Sequence, residues 1–159
     1  MRGGKSEAPA PLHLHAADTE DLPVVSAALS SATVKRSDMG YDPRRRRFAL
    51  VCNRFRWEDG EFEDGLGGSR IRAGVQINDV ESVQSSGFSS LPDETVLELL
   101  SLQAEAGETP PEAVLTLTFA GGPAVRLKTG CVDVLVDDMG RAWYTPNRPD
   151  HEQESGDGA

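Results

Sequence analysis

The stretch Arg47-Phe48-Ala49-Leu50-Val51-Cys52-Asn53-Arg54-Phe55-Arg56-Trp57-Glu58 narrows the choice of fold more than any other part of the chain. It starts as an apolar run and finishes in strict alternation, which reads as a strand covered on both faces at first and on one face later. The pleat then sets a phase: Ala49, Val51, Phe55 and Trp57 share a face, while Arg54 and Arg56 point the other way. Residues 70–77 resume the alternation, with Ile71, Ala73, Val75 and Ile77 on one side and Arg70, Arg72, Gly74 and Gln76 on the other. If the two strands form a hairpin, placing Arg56 opposite Arg70, Arg54 opposite Arg72 and Phe55 opposite Ile71 keeps every apolar residue on one side.

Other segments follow by the same logic. Leu22, Val25 and Leu29 recur at helical spacing behind Asp21, with Pro23 in the first turn, where a missing N–H costs nothing. Asp21 is the expected cap. A strand at Leu12 to His15 leading into this helix is a weaker alternative. Thr33 to Met39 reads as a strand, with a turn at Gly40-Tyr41-Asp42-Pro43, and Val80 to Ser85 reads as another strand. Leu97 to Ala106 has helix-forming residue types but alternates, so a turn at Pro92 to Val96 followed by a strand is expected. Around Ala120-Gly121-Gly122 a three-residue loop places Leu117 beside Val125 and Leu115 beside Leu127, whereas a two-residue turn would set Leu117 beside Arg126. Val132, Leu135, Val136 and Met139 are spaced as one face of a short closing helix stopped at Gly140.

The 159 residues suit a single domain. Met1 to Pro11 and Pro146 to Ala159 read as disordered tails, leaving 12–145 as one α+β domain. A net charge of −10 argues against bulk polyanion binding. Cys52 and Cys131 lack metal or redox spacing, and no signal peptide or apolar span is evident, so a cytoplasmic setting is expected.

The expected architecture is thus a strongly bent antiparallel sheet, or partly open barrel, of about six to seven strands with an N-terminal and a C-terminal helix. That order resembles a pleckstrin-homology-like barrel, in which a terminal helix plugs one open end. Arg46-Arg47-Phe48-Ala49-Leu50-Val51, Asn53-Arg54-Phe55-Arg56-Trp57-Glu58 and the preceding Asp38-Met39 resemble the bacterial family called domain of unknown function 2948. Leu115-Thr116-Leu117-Thr118-Phe119-Ala120-Gly121-Gly122 is similar to that family's second block. The resemblance covers residues 12 to 146 and implies no activity, so it supplies no catalytic residues.

The residues themselves offer little chemistry, and no catalytic, cofactor or metal site is expected. His13, His15 and His151 lie in or beside the tails. Cys131 at the start of the closing helix would have its thiol activated by the helix dipole, though a small packing residue is the plainer account. Glu58, Asp59, Glu61, Glu63 and Asp64 lack the pattern of a calcium loop, and Gly65, Gly67 and Gly68 do not complete a dinucleotide fingerprint. Asn53, on the face of Val51 and Phe55, calls for a hydrogen-bond partner. Arg44 to Arg47 with Lys35 and Arg36 make a basic turn that discourages edge pairing.

One constellation stands out. Arg54, Arg56, Arg70 and Arg72 would form a two-by-two block on the outward sheet face, where like charges repel unless something offsets them. Carboxylates of the Glu58–Asp64 loop folding back could do so, as could a partner's carboxylate or phosphate. The expectation is a non-enzymatic protein-interaction module using this face. The alternative is an RNA- or phosphate-ligand-binding module using the same arginines.

Overall fold

The computed structural model describes residues 10–59 and 67–149. Its elements are β1 (His13–Ala16), α1 (Leu22–Leu29), β2 (Ala32–Lys35), β3 (Met39–Asp42), β4 (Arg47–Phe55), β5 (Gly68–Ile77), β6 (Val80–Ser86), β7 (Val96–Ala106), β8 (Ala113–Phe119), β9 (Ala124–Thr129) and β10 (Val134–Thr145). All ten strands belong to one antiparallel sheet in the order β1-β10-β5-β4-β2-β7-β8-β9-β6, with β3 on β4. Ala16 and Val136 near one end of that path share a single apolar cluster with Val80 and Leu127 near the other. One face of the sheet therefore encloses one core, which requires the sheet to curl.

Period-two patterning accounts for most strands. Leu115, Leu117 and Phe119 on β8 and Val125 and Leu127 on β9 are buried. The register Leu115↔Leu127 and Leu117↔Val125 is the one a three-residue loop requires. Gly121 and Gly122 supply the positive φ angles of that loop, 90° and 116°. Residues 96–106 form a strand, as their alternation demands. Helix α1 buries Leu22, Val25 and Leu29. Asp21 precedes it, but its carboxylate accepts from Ala17 N at 3.0 Å and makes no side-chain cap.

The α+β expectation, with six or seven strands and two helices, is overturned. Residues 134–145 form β10, so the described residues have no closing helix and lose the basis for a pleckstrin-homology-like plug. Val132, Val134 and Val136 are buried in alternation, and β10 hydrogen-bonds β5 on one side and β1 on the other. Spacing of 132, 135, 136 and 139 fits a helix equally well, and the cross-strand bonding decides. The N-terminal strand exists as β1, and the expected strand from Thr33 to Met39 is broken into β2 and β3 by a 3-10 turn at Arg36–Asp38. The expected tails lie largely outside the described residues, as does most of the acidic loop after Asp59. No helix of the described residues is long and apolar enough to cross a membrane.

Candidate functional site

The register of β4 against β5 decides where the four arginines go. Arg54 lies opposite Ile71, Phe55 opposite Arg70 and Asn53 opposite Arg72, one residue away from the expected hairpin. A slip of one residue exchanges the faces of a strand. Arg54 and Arg56 therefore turn inward with Phe48, Leu50 and Cys52, and are only 0 % and 2 % exposed, while Arg70 and Arg72 stay on the outer face. The two-by-two block does not form. Phe55 is buried as well, because the outer face is covered at this end: its ring lies 4.6 Å from Trp57 and beneath the Arg70 and Arg148 guanidinium groups.

Inside, carboxylates meet the buried cations. Arg54 donates from Nε to Asp138 Oδ1 at 2.7 Å and from Nη2 to Asp138 Oδ2 at 2.8 Å. It also donates from Nη1 to Glu58 Oε1 at 3.0 Å and from Nη2 to Glu58 Oε2 at 2.7 Å. Arg56 donates to Asp59 from Nε at 3.1 Å and from Nη2 at 3.2 Å. Asp138 Oδ2 additionally accepts from Leu12 N at 2.8 Å. Burial alone would raise the Asp138 carboxyl, but the Arg54 guanidinium and the Leu12 N–H hold it below its ordinary value, and Glu58 is likewise lowered by Arg54 against its own burial. Burial would lower Arg54, and Asp138 and Glu58 raise it instead. Every charge here has a fork-shaped or multiple partner, so the cluster fixes β10 and the β4 exit and leaves no reactive group.

The outer face is different. Arg70 is half-buried and donates from Nη1 to Ser31 O at 3.2 Å and to Asn53 O at 2.9 Å, with no carboxylate partner among the described residues. Burial pulls its pKa down. Arg72 is exposed and makes no ion pair or hydrogen bond through its side chain among the described residues. Directly across on β10 lie Met139, opposite Arg72, and Trp143, opposite Arg70, with a bulge between them. Met139 is 39 % and Trp143 43 % exposed. Asn53 shares this face, yet its side-chain amide finds no partner among the described residues, contrary to expectation.

Between β2 and β4 the outer face opens. The two strands meet only at Thr33↔Asn53, because the chain leaves the β4 edge in the 3-10 turn before rejoining it as β3. The turn's amides go elsewhere, Arg36 N to Thr95 O at 2.8 Å and Ser37 N to Asp93 O at 3.1 Å. What remains is a hollow of about 170 Å³ bordered by Thr33, Lys35, Asp38, Val51, Asn53 and Arg72. Sequence reasoning missed the hollow because it runs residues 33–39 as one strand, and missed Met139 and Trp143 because it reads residues 132–139 as a helix.

The other candidates resolve simply. Cys131 precedes a strand, so no helix dipole activates it, and burial together with Asp79, 3.5 Å away, raises its thiol pKa. Burial pushes Cys52 up to about 12. His13 and His15, expected at a tail, pair with Asp137 and Asp133 at 2.7 Å each and fasten β1 to β10 and its approach. The basic turn is internally salted: Arg45 meets Asp42 at 3.1 Å and Arg46 meets Asp79 at 3.0 Å. Among the described residues no group of three or more His, Cys, Asp or Glu could hold a metal ion. Glu61, Glu63 and Asp64 lie outside them.

A family model described as Protein of unknown function (DUF2948) matches residues 12–151, nearly the whole chain. The chain belongs to this family. Neither a curated protein nor a solved structure matches it. In this DUF2948 protein the two stretches resembling the family become β4 with the buried Arg54, and the β8–β9 hairpin, both central to the core. Membership carries no assigned activity.

Proposed function

We propose that this chain is a non-enzymatic protein-interaction module whose contact surface is the outer face of β4, β5 and β10. Of the sequence-derived arginines, Arg70 and Arg72 belong to this surface, and Arg54 and Arg56 support it from beneath. The observation that carries the proposal is the exposure of Met139 and Trp143 on one face of the same half-strand, beside an Arg72 that has no partner among the described residues. These are two of the five large hydrophobics exposed among the described residues. Arginine, methionine and aromatic side chains are the types enriched in protein interfaces, and a tryptophan beside an arginine is a common anchor. The free thiols Cys52 and Cys131 suit a reducing, cytoplasmic setting.

A photoreactive group at position 139 in living cells tests this. The expected result is one discrete crosslinked protein, lost in the Arg72→Glu, Trp143→Ala double variant and retained in Val24→Glu on α1. Crosslinks to RNA that fall steeply with salt would instead support a nucleic-acid or phosphate ligand on the same arginines. Crosslinks that survive the double variant would sink both.

A further inference from the structure

Strand β6 ends the sheet opposite β1, so one of its two edges has no neighbouring strand among the described residues. The β8–β9 hairpin fixes which groups lie on that edge. Phe119 N donates to Pro123 O at 2.9 Å, so β9 turns the N–H and C=O of Val125, Leu127 and Thr129 towards β8, and those of Ala124, Arg126 and Lys128 towards β6. These last three stand opposite Ser86, Gln84 and Ser82. The N–H and C=O of Val83 and Ser85 therefore point to the free edge. At its start the edge is in use: Val80 N donates to Arg46 O at 2.9 Å, and Val80 O accepts from Tyr41 Oη at 2.6 Å. Beyond the bulge after Val80, no backbone group of residues 82–86 bonds outside the β9 ladder among the described residues. Ser82, Gln84, Ser85 and Ser86 are exposed, and Val83 is half-buried against the core. Open edges are ordinarily guarded by lysine, proline or other charge, and none of these falls between Ser82 and Ser86.

We infer that β6 is a self-association edge, on which a second copy of this chain pairs antiparallel about a two-fold axis through Gln84. Unpaired strand N–H and C=O groups are complemented by another extended strand, and the register selects the copy. With the axis at Gln84, Val83 of each copy faces Ser85 of the other, and all four outward N–H groups find carbonyls. On the outer face Gln84 then meets Gln84, and Ser82 meets Ser86. Amides and hydroxyls both donate and accept, so such pairs complement themselves, and these side chains have no partner among the described residues. Like charges directly opposite would defeat a symmetric pairing. The paired segment has none: Glu81, the only charge of β6, lies before it and is 3.5 Å from Arg46. Arg126, one strand back on β9, would be three strand spacings, about 14 Å, from its equivalent. The net charge of −10 repels at longer range without favouring another register, and salt screens it. A five-residue edge is small beside the roughly 1,600 Å² of standard interfaces, so the dimer is a weak one.

Sedimentation velocity of the full chain over a concentration series, with nitrogen-15 spectra in parallel, tests the edge. The wild type should pass from monomer to dimer, and the dimer fraction should rise with salt. The Val83 and Ser85 amides should exchange more slowly as concentration rises, and those of Ser82, Gln84 and Ser86, already bonded to β9, should change less. Gln84→Lys and Gln84→Glu each set like charges on the axis and should weaken self-association about fivefold, even though the lysine reduces the repulsion between whole chains. An equimolar mixture of the two variants should dimerise as well as the wild type. Unchanged Leu115, Leu117 and Leu127 amide signals show that a variant is folded. Should either variant fail to fold, Ser85→Pro removes an outward N–H, spares the β9 ladder and should abolish the dimer. A monomer up to about 1 mM, a dimer equally strong in all the variants, or protection confined to strands other than β6 would overturn the inference. A photoreactive group at position 84 that crosslinks only a different protein would give the edge to a foreign strand and overturn it too. The crosslink at position 139 reads a different face, so either result can fail without the other.

Discussion

Arg54 carries a full positive charge at a position where the strand pattern of Phe48, Leu50 and Cys52 calls for an apolar side chain. Such a group is tolerated only with complete ionic pairing, and removing one partner of a buried pair typically costs roughly 3–5 kcal/mol. Asp138→Asn should therefore lower the unfolding free energy by about 3 kcal/mol, the lower end of that range because Glu58 still holds the guanidinium. Chemical denaturation measures it. Arg54→Met combined with Asp138→Leu should recover much of the loss, since apolar side chains of similar size often replace buried pairs without penalty. The lowered carboxyl pKa values of Asp138 and Glu58 also fix a pH dependence. In the unfolded chain these groups bind protons near their ordinary values of 3.8 and 4.5, and in the folded chain only at lower pH. Their contribution is complete above that range and is lost as pH falls through the folded values. Stability measured from pH 7 to 3 should fall on acidification, and more steeply in the wild type than in Asp138→Asn. Parallel curves would show that Asp138 is not linked.

At the scale of elements, packing sets strand geometry in two places open to test. In β7 a register irregularity lies between Leu99 and Ser101, and the Leu102 N–H then donates to Ser26 Oγ of α1 at 3.0 Å. Ser26→Ala leaves that N–H without its acceptor, and should cost about 1–3 kcal/mol while leaving Leu22, Val25 and Leu29 in place. In β5, a Cβ at Gly68 would run into the Phe55 ring. Gly68→Ala should cost roughly 1–3 kcal/mol by overpacking and shift the tryptophan emission, because Phe55 supports Trp57. Wild-type emission in that variant would show that the ring moves freely. The same packing explains what the sequence made legible. The β8–β9 register and the buried side of β5 could be read because each has one wet face, where alternation is unambiguous. The phase of β4 could not, because Phe55 is buried on one side by Trp57 and Arg70 while Arg54 is buried on the other by Asp138, eighty-four residues away. A strand covered on both faces carries no period, and the carboxylates that make Arg54 tolerable come from a segment whose own spacing suits a helix. The Met139–Trp143 row was illegible because its segment is spaced as a helix, and the hollow because residues 33–39 read as one strand with no break at the Arg36–Asp38 turn.

For the molecule as a whole, the decisive feature is a seam. On one side lie β1, β10, β5, β4 and β3, and on the other β2, β7, β8, β9 and β6. The two groups meet in the sheet only at Thr33↔Asn53. The shared core spans the joint from inside. From outside it is tied by Trp57 Nε1, which donates to Ser30 O at 2.9 Å, and by Arg70 Nη1, which donates to Ser31 O at 3.2 Å. Ser31 itself, with φ of 69°, sits in backbone that a serine adopts only under constraint, so these ties hold the chain in a conformation it would otherwise leave. The seam should therefore open locally below the global unfolding free energy. Trp57→Phe keeps an aromatic ring against Phe55 and deletes one tie, worth about 1 kcal/mol. Native-state hydrogen exchange should then quicken roughly fivefold at the amides flanking Thr33 and Asn53, with β8 and the middle of β5 unchanged. An even acceleration across all strands would mean that the two groups open only together.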